Sequence, residues 1–209
     1  IWQHGSKATP FTPFAKGTIS PAMETAGAGD FARLFIALPI GEDVRAKLGD
    51  AVQELRQAGG RIGWVALPNI HMTLAFLGEV PRARIPALAE QLDAVTRGSA
   101  PFSFRVAGLG SFGRWRAPRV IWAGVPEPPE ALRMLHSAIA TALKTLDLRT
   151  EERAFTPHLT LARVRSAGGA AGLVDRLKTM TALDFGVVNA TRIVLMQSLL
   201  EARGVRYVA

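Results

Sequence analysis

The 209 residues carry 48% hydrophobic side chains and a formal charge of +8, from 25 Lys and Arg against 17 Asp and Glu. That is ample for a packed core in one domain or two small ones, and the basic surplus attracts polyanions without choosing among them. The chain has no cysteine, which excludes disulfides, thiolate metal sites and cysteine nucleophiles and fits a reducing cytoplasm; no apolar run approaches the roughly 20 residues that cross a bilayer, so a soluble protein away from membranes is expected.

Residues 1–22 place Pro10, Pro13 and Pro21 among Ser, Thr and Gly, with no apolar segment behind a basic start, and so do not read as a signal peptide. Met23 followed by Glu24-Thr25-Ala26-Gly27 reads as a native start with a flexible lead over 23–30, and the stretch before it as an expression-vector remnant. Removing that stretch takes away Lys7 and Lys16 and no acidic residue, so the basic surplus belongs mostly to residues 23–209.

From Arg33 a strand-like run, Leu34 to Leu38, precedes an amphipathic helix with Val44, Leu48, Val52 and Leu55 at helical spacing, and then Pro68-Asn69-Ile70-His71-Met72-Thr73-Leu74. A second helical pattern (Ile85, Leu88, Leu92, Val95) and a strand at Phe102–Val106 close this unit. From Arg119 the order repeats: a strand Val120–Val125, a helix with Leu132, Leu135, Ile139 and Leu143 on one face, then Thr156-Pro157-His158-Leu159-Thr160-Leu161. A helical pattern (Leu173, Leu177, Met180), a strand at Phe185–Val188, a late strand at Thr191–Gln197 and a hairpin turn at Arg203-Gly204 toward Tyr207 complete it. Arg33 to His71 is 38 residues and Arg119 to His158 is 39, an agreement that points to internal duplication.

The expected architecture is α+β and bilobal: a pseudo-twofold pair of β-α-β-α-β units, with largely antiparallel sheets facing a central cleft and helices outside. It forms one domain over 31–209, with halves of about 31–110 and 117–209. Strand order is not fixed by sequence, and one continuous sheet is the alternative.

On a strand, residues i and i+2 share a face, so His71 lies beside Thr73 and His158 beside Thr160, while Met72, Leu74, Leu159 and Leu161 turn to the core. Ordinary Thr and Leu frequencies would put His-x-Thr-Leu on two of four histidines about once in a few thousand chains. Two imidazoles across a cleft suit phosphodiester chemistry near neutral pH: one takes a proton from water while the other gives one to the leaving oxygen, and the threonine hydroxyls donate to the phosphate oxygens. Neither motif holds the third ligand a catalytic metal ordinarily needs, so neither metal nor cofactor is expected. His4 and His136 read as structural or solvated.

These motifs, the opening Arg33-Leu34-Phe35-Ile36-Ala37-Leu38-Pro39 and the Phe76-Leu77-Gly78-Glu79-Val80 after the first motif resemble the 2H phosphoesterase superfamily, and within it the bacterial RNA 2′,3′-cyclic phosphodiesterases first named 2′-5′ RNA ligases; the resemblance covers nearly all of Phe31 to Val208. It implies a cleft between two lobes and hydrolysis of RNA-terminal 2′,3′-cyclic phosphate to a 2′-phosphomonoester. His71 would donate a proton to the departing 3′ oxygen, His158 would activate water, and Thr73 and Thr160 would bind the phosphate. Arg163 is expected to contact substrate if a bulge or the strand end turns it inward. Phe155 and, in a loop Gly110-Ser111-Phe112-Gly113-Arg114-Trp115-Arg116, Phe112 and Arg114 are expected to supply base stacking and phosphate contact. The implied partner is RNA or oligonucleotide ending in 2′,3′-cyclic phosphate, met by a cytoplasmic monomer. The alternatives are a 2′-5′ RNA ligase or small cyclic-nucleotide phosphodiesterase and, in another class, a non-catalytic RNA-binding module.

Overall fold

The computed structural model describes residues 29–59, 62–114, 117–148, 153–164, 171–201 and 204–209. The suspected vector remnant, and Trp115, Arg116 and Arg203 of the turn readings, lie outside the described residues. In chain order the elements are β1 (Phe31–Pro39), α1 (Glu42–Arg56), β2 (Ile62–Trp64), a 3₁₀ turn (Leu67–Asn69), β3 (His71–Pro81), a second 3₁₀ turn (Arg82–Arg84), α2 (Ile85–Arg97), β4 (Phe102–Arg114), β5 (Ala117–Gly124), α3 (Glu130–Thr145), β6 (His158–Val164), α4 (Ala171–Thr179), β7 (Asp184–Ala190), β8 (Val194–Glu201) and β9 (Gly204–Val208).

The helices form where apolar residues recur at helical spacing. In α1, Glu42 and Asp43 occupy the first turn and Arg56 the last, complementing the helix dipole, while Val44, Leu48, Ala51, Val52 and Leu55 form the buried stripe. In α2, Pro86 sits in the first turn, where its missing N–H is no loss, and Ile85, Leu88 and Leu92 are buried.

The α+β class and the antiparallel pairing agree with the sequence reading. The strands run β7-β4-β5-β6-β3-β1-β8-β9 in one sheet, with β2 added beside β6. This order is symmetric about the β6/β3 seam, so β5 corresponds to β1, β4 to β8 and β7 to β9. The two half-sheets join directly through one register pair, Met72 opposite Leu159, which is the continuous-sheet alternative. The closing strands also exchange between halves. β4 of the first half pairs with β5 and β7 of the second, and β8 of the second half pairs with β1 of the first. The helices follow suit: α1 packs on α4 and β7, and α2 packs on α3. One apolar cluster, including Leu34, Leu48, Met72, Leu88, Ile121, Leu135, Leu159 and Phe185, runs beneath both halves.

Residues 110–114 form the end of β4 rather than a loop. The strand is rich in glycine because its ladder is irregular: a register shift falls between Phe112 and Gly113, where Gly113 takes φ +101° and a Cβ would come within 2.9 Å of the Ala117 carbonyl oxygen.

Candidate active site

Both histidines open their strands. β3 begins at His71 and β6 at His158, and in each strand the next residue is fully buried. With Met72 opposite Leu159, one step along the antiparallel ladder on either side sets His71 opposite Thr160 and Thr73 opposite His158. The two histidines thus occupy diagonal positions on one face of the seam, a relation that in a regular sheet separates residues by about 7–8 Å. All four side chains are half-buried, neither sunk in the core nor freely solvated.

The rings are held alike on one side. His71 Nδ1 lies 2.8 Å from the Asn69 carbonyl oxygen and His158 Nδ1 lies 2.7 Å from that of Thr156. A carbonyl only accepts, so each Nδ1 donates its proton and each Nε2 is the nitrogen left to exchange protons. His71 Nε2 is 3.1 Å from Thr73 Oγ1.

They differ in what surrounds them. His71 stacks on Phe35, centroids 4.8 Å apart at 22°, and meets the edge of Tyr207 at 5.4 Å. His158 meets Phe112 edge-on at 4.8 Å. Burial pushes the His71 imidazole below its ordinary value of 6.5, with the Asn69 carbonyl bond opposing the shift. The folded ring therefore prefers to be neutral, and the unfolded chain binds more protons between the folded value and 6.5. Stability from this group should be complete above about pH 6.5 and be lost as pH falls through that window. Urea titrations across the range should show the slope, reduced in His71→Gln; equal slopes in the two proteins would contradict it.

A β-bulge three residues after each histidine re-aims the strand. Between β1 and β3 the register passes from Ala37–Thr73 to Ile36–Ala75, leaving Leu74 extra; between β5 and β6 it passes from Trp122–Thr160 to Ile121–Ala162, leaving Leu161 extra. Leu161 and Ala162 are both buried in consequence, and Arg163, opposite Val120, turns onto the histidine face. The bulge that Arg163 required is present. Its counterpart five residues after His71 is Phe76, opposite Phe35 and 45% exposed.

Phe112 thus lies at His158, and Arg114 follows two residues on at the exposed end of β4. Phe155 is not brought to the pair: it stacks on His136 at 4.1 Å and packs against the core. Sequence reading missed Phe35, Phe76, Trp122 and Tyr207. Trp122 stands opposite Thr160, its indole over Gly110, where a Cβ would approach the ring to 2.3 Å. The repeat could have flagged Phe76 and Arg163 as equivalent positions; no local signal marks Tyr207. Among the described residues no group of three or more His, Cys, Asp or Glu is placed to hold a metal ion, and no helix is long and apolar enough to cross a membrane.

Two His-x-Thr strands meeting at one seam of an antiparallel α+β sheet define the 2H phosphoesterase class. Within that class the chain belongs to the 2′-5′ RNA ligase superfamily, whose family model matches residues 44–200. An RNA 2′,3′-cyclic phosphodiesterase of Thermotoga maritima is 38% identical over 133 residues, 64% of this chain and 70% of the relative. The crystal structure of TT0787 of Thermus thermophilus superposes with a TM-score of 0.71 at 29% identity, covering 84% of this chain and 93% of that one. That of Escherichia coli LigT complexed with 3′-AMP gives 0.67 at 28% identity, covering 85% and 94%.

Proposed function

We propose that the protein hydrolyses the 2′,3′-cyclic phosphate at RNA ends to a 2′-phosphomonoester, with His71 and His158 as the proton-exchanging pair. The observation that carries this reading is the seam, which sets two Nδ1-anchored imidazoles diagonally on one face beside two threonine hydroxyls. The name carried by the Thermotoga relative and the nucleotide held by LigT support the substrate class. Water attacks phosphorus and yields its proton to His158 Nε2, while the bond from phosphorus to the 3′ oxygen breaks and that oxygen takes the proton from His71 Nε2. Thr73 and Thr160 donate to the non-bridging oxygens as charge gathers there. Phe76 and Arg163, at matching positions on the two strands, flank the place where the terminal base would lie, and an aromatic face and a guanidinium plane both accept a base by stacking. Phe112 and Arg114 extend this surface along β4 toward the adjoining nucleotide. We read the acting unit as a cytoplasmic monomer built from residues 31–209, whose cysteine-free composition fits a reducing compartment.

The dry surroundings of His71 support a second assignment, in which that neutral ring is the base and His158 the acid. Substrate opposes this preference, because a phosphate anion beside the ring raises the proton affinity of His71.

The test is product analysis after incubation with RNA ending in 2′,3′-cyclic phosphate, in excess EDTA. A 2′-phosphate is expected. A 3′-phosphate would overturn the regiochemistry, an unchanged end would overturn the activity, and loss of turnover on chelation would overturn the metal-free mechanism.

A further inference from the structure

The C-terminal hairpin returns to the first histidine from the far end of the sheet. By pairing, β9 is the outermost strand of its half, separated from β3 by β1 and β8. The half-sheet nevertheless curls until the Tyr207 ring centre lies 4.9 Å from that of Phe35 and 5.4 Å from that of His71, near-perpendicular to both. The Asn69 side-chain amide donates to the Val205 carbonyl oxygen at 3.3 Å, tying β9 to the residue whose own carbonyl holds His71 Nδ1. The His71 ring is therefore bounded by Phe35 on one face, Tyr207 from β9, the Asn69 carbonyl at Nδ1 and Thr73 at Nε2. His158 is less enclosed: among the described residues the aromatic ring against it is that of Phe112, edge-on.

We propose that Tyr207 is a positioning residue for the first histidine: the C-terminal hairpin lays its ring against His71 and Phe35, fixing the imidazole's orientation and keeping water from its flank. This rests on the reading of the seam as the active site. The contacts are aromatic edges, so the tyrosine ring rather than its hydroxyl carries the effect. Among the described residues, the titratable groups on the side of His71 are Tyr207 from β9 and His158 across the seam; β1 presents Pro39 and Phe35, β3 presents Thr73, and the proton affinity of His71 is depressed by burial against the opposing pull of the Asn69 carbonyl bond. Removing the Tyr207 ring admits water and should move that affinity back up.

The experiment follows the His71 ring by NMR titration in the full chain, alongside the pH dependence of kcat/KM on cyclic-phosphate-ended RNA. In Tyr207→Ala, the His71 titration and the limb of the rate profile that it sets should both move to higher pH. kcat should fall between roughly 10- and 100-fold with KM little changed, the effect of a slightly misplaced group. Tyr207→Phe should restore both. Should Tyr207→Ala fail to fold, Tyr207→Leu keeps the hairpin packed without the aromatic edge and should shift the titration the same way. An unmoved titration in a folded variant overturns the proposal, as does a Tyr207→Phe as impaired as Tyr207→Ala. If the wild-type chain opened no cyclic phosphate, the functional reading would fail while the titration still decided the placement of His71.

Discussion

Alanine at either His71 or His158 is expected to lower kcat by roughly 100-fold or more, the usual worth of a positioned acid or base. RNA affinity should be largely kept, because Phe76, Arg163 and the surface along β4 are untouched. The two variants should differ with a leaving group that needs no proton. A cyclic phosphate carrying sulfur in place of the 3′ oxygen should recover much of the rate in His71→Ala and little in His158→Ala. The reverse pattern would establish the exchanged assignment that the drier ring favours. Wild-type turnover in both variants would defeat the acid–base reading and leave an RNA-binding module as the better account.

Leu159→Ala is expected to reduce stability by about 2–5 kcal/mol, the range for deleting a fully buried leucine. In a chain of this size that lowers Tm on the order of 5–15 °C. The site matters beyond its area. Leu159 and Met72 are the register pair between the half-sheets and both are wholly buried, so their contact fixes how His71 lies relative to His158. The variant should therefore lose more activity, at a temperature where it is fully folded, than a deletion such as Leu88→Ala beneath α2. Equal activities in the two folded variants would show that the seam does not set the geometry.

The motif strands are legible in the sequence because alternation there is strict: buried Met72, Leu74, Leu159 and Leu161 against half-buried His71, Thr73, His158 and Thr160. The duplication is legible as spacing. The bulges at Leu74 and Leu161 are not, since leucine suits either register and only the partner strand reveals the extra residue; the inward turn of Arg163 depends on one of them. The end of β4 reads as a loop because glycine dense enough to open a turn is also what an irregular strand uses to pass beneath a tryptophan. Phe155 looks available by its nearness to the second motif, but its face is taken by His136, a partner on α3 that local pattern cannot reveal. Tyr207 meets His71 only through the curl of the sheet, and Phe35 through the pairing of β1 with β3, both long-range consequences of strand order.

Strand exchange has a consequence for how such a chain could arise. Severed at the β4–β5 hairpin, neither fragment would keep a finished sheet, since β4 would lose both its neighbours and β1 would lose β8. A half-length forerunner bearing a single motif would have needed a second copy to complete its ladder and its proton couple alike. Tandem fusion would make that partnership permanent and lift the demand for sameness, leaving room for the difference between one imidazole enclosed by Phe35 and Tyr207 and the other meeting the edge of Phe112.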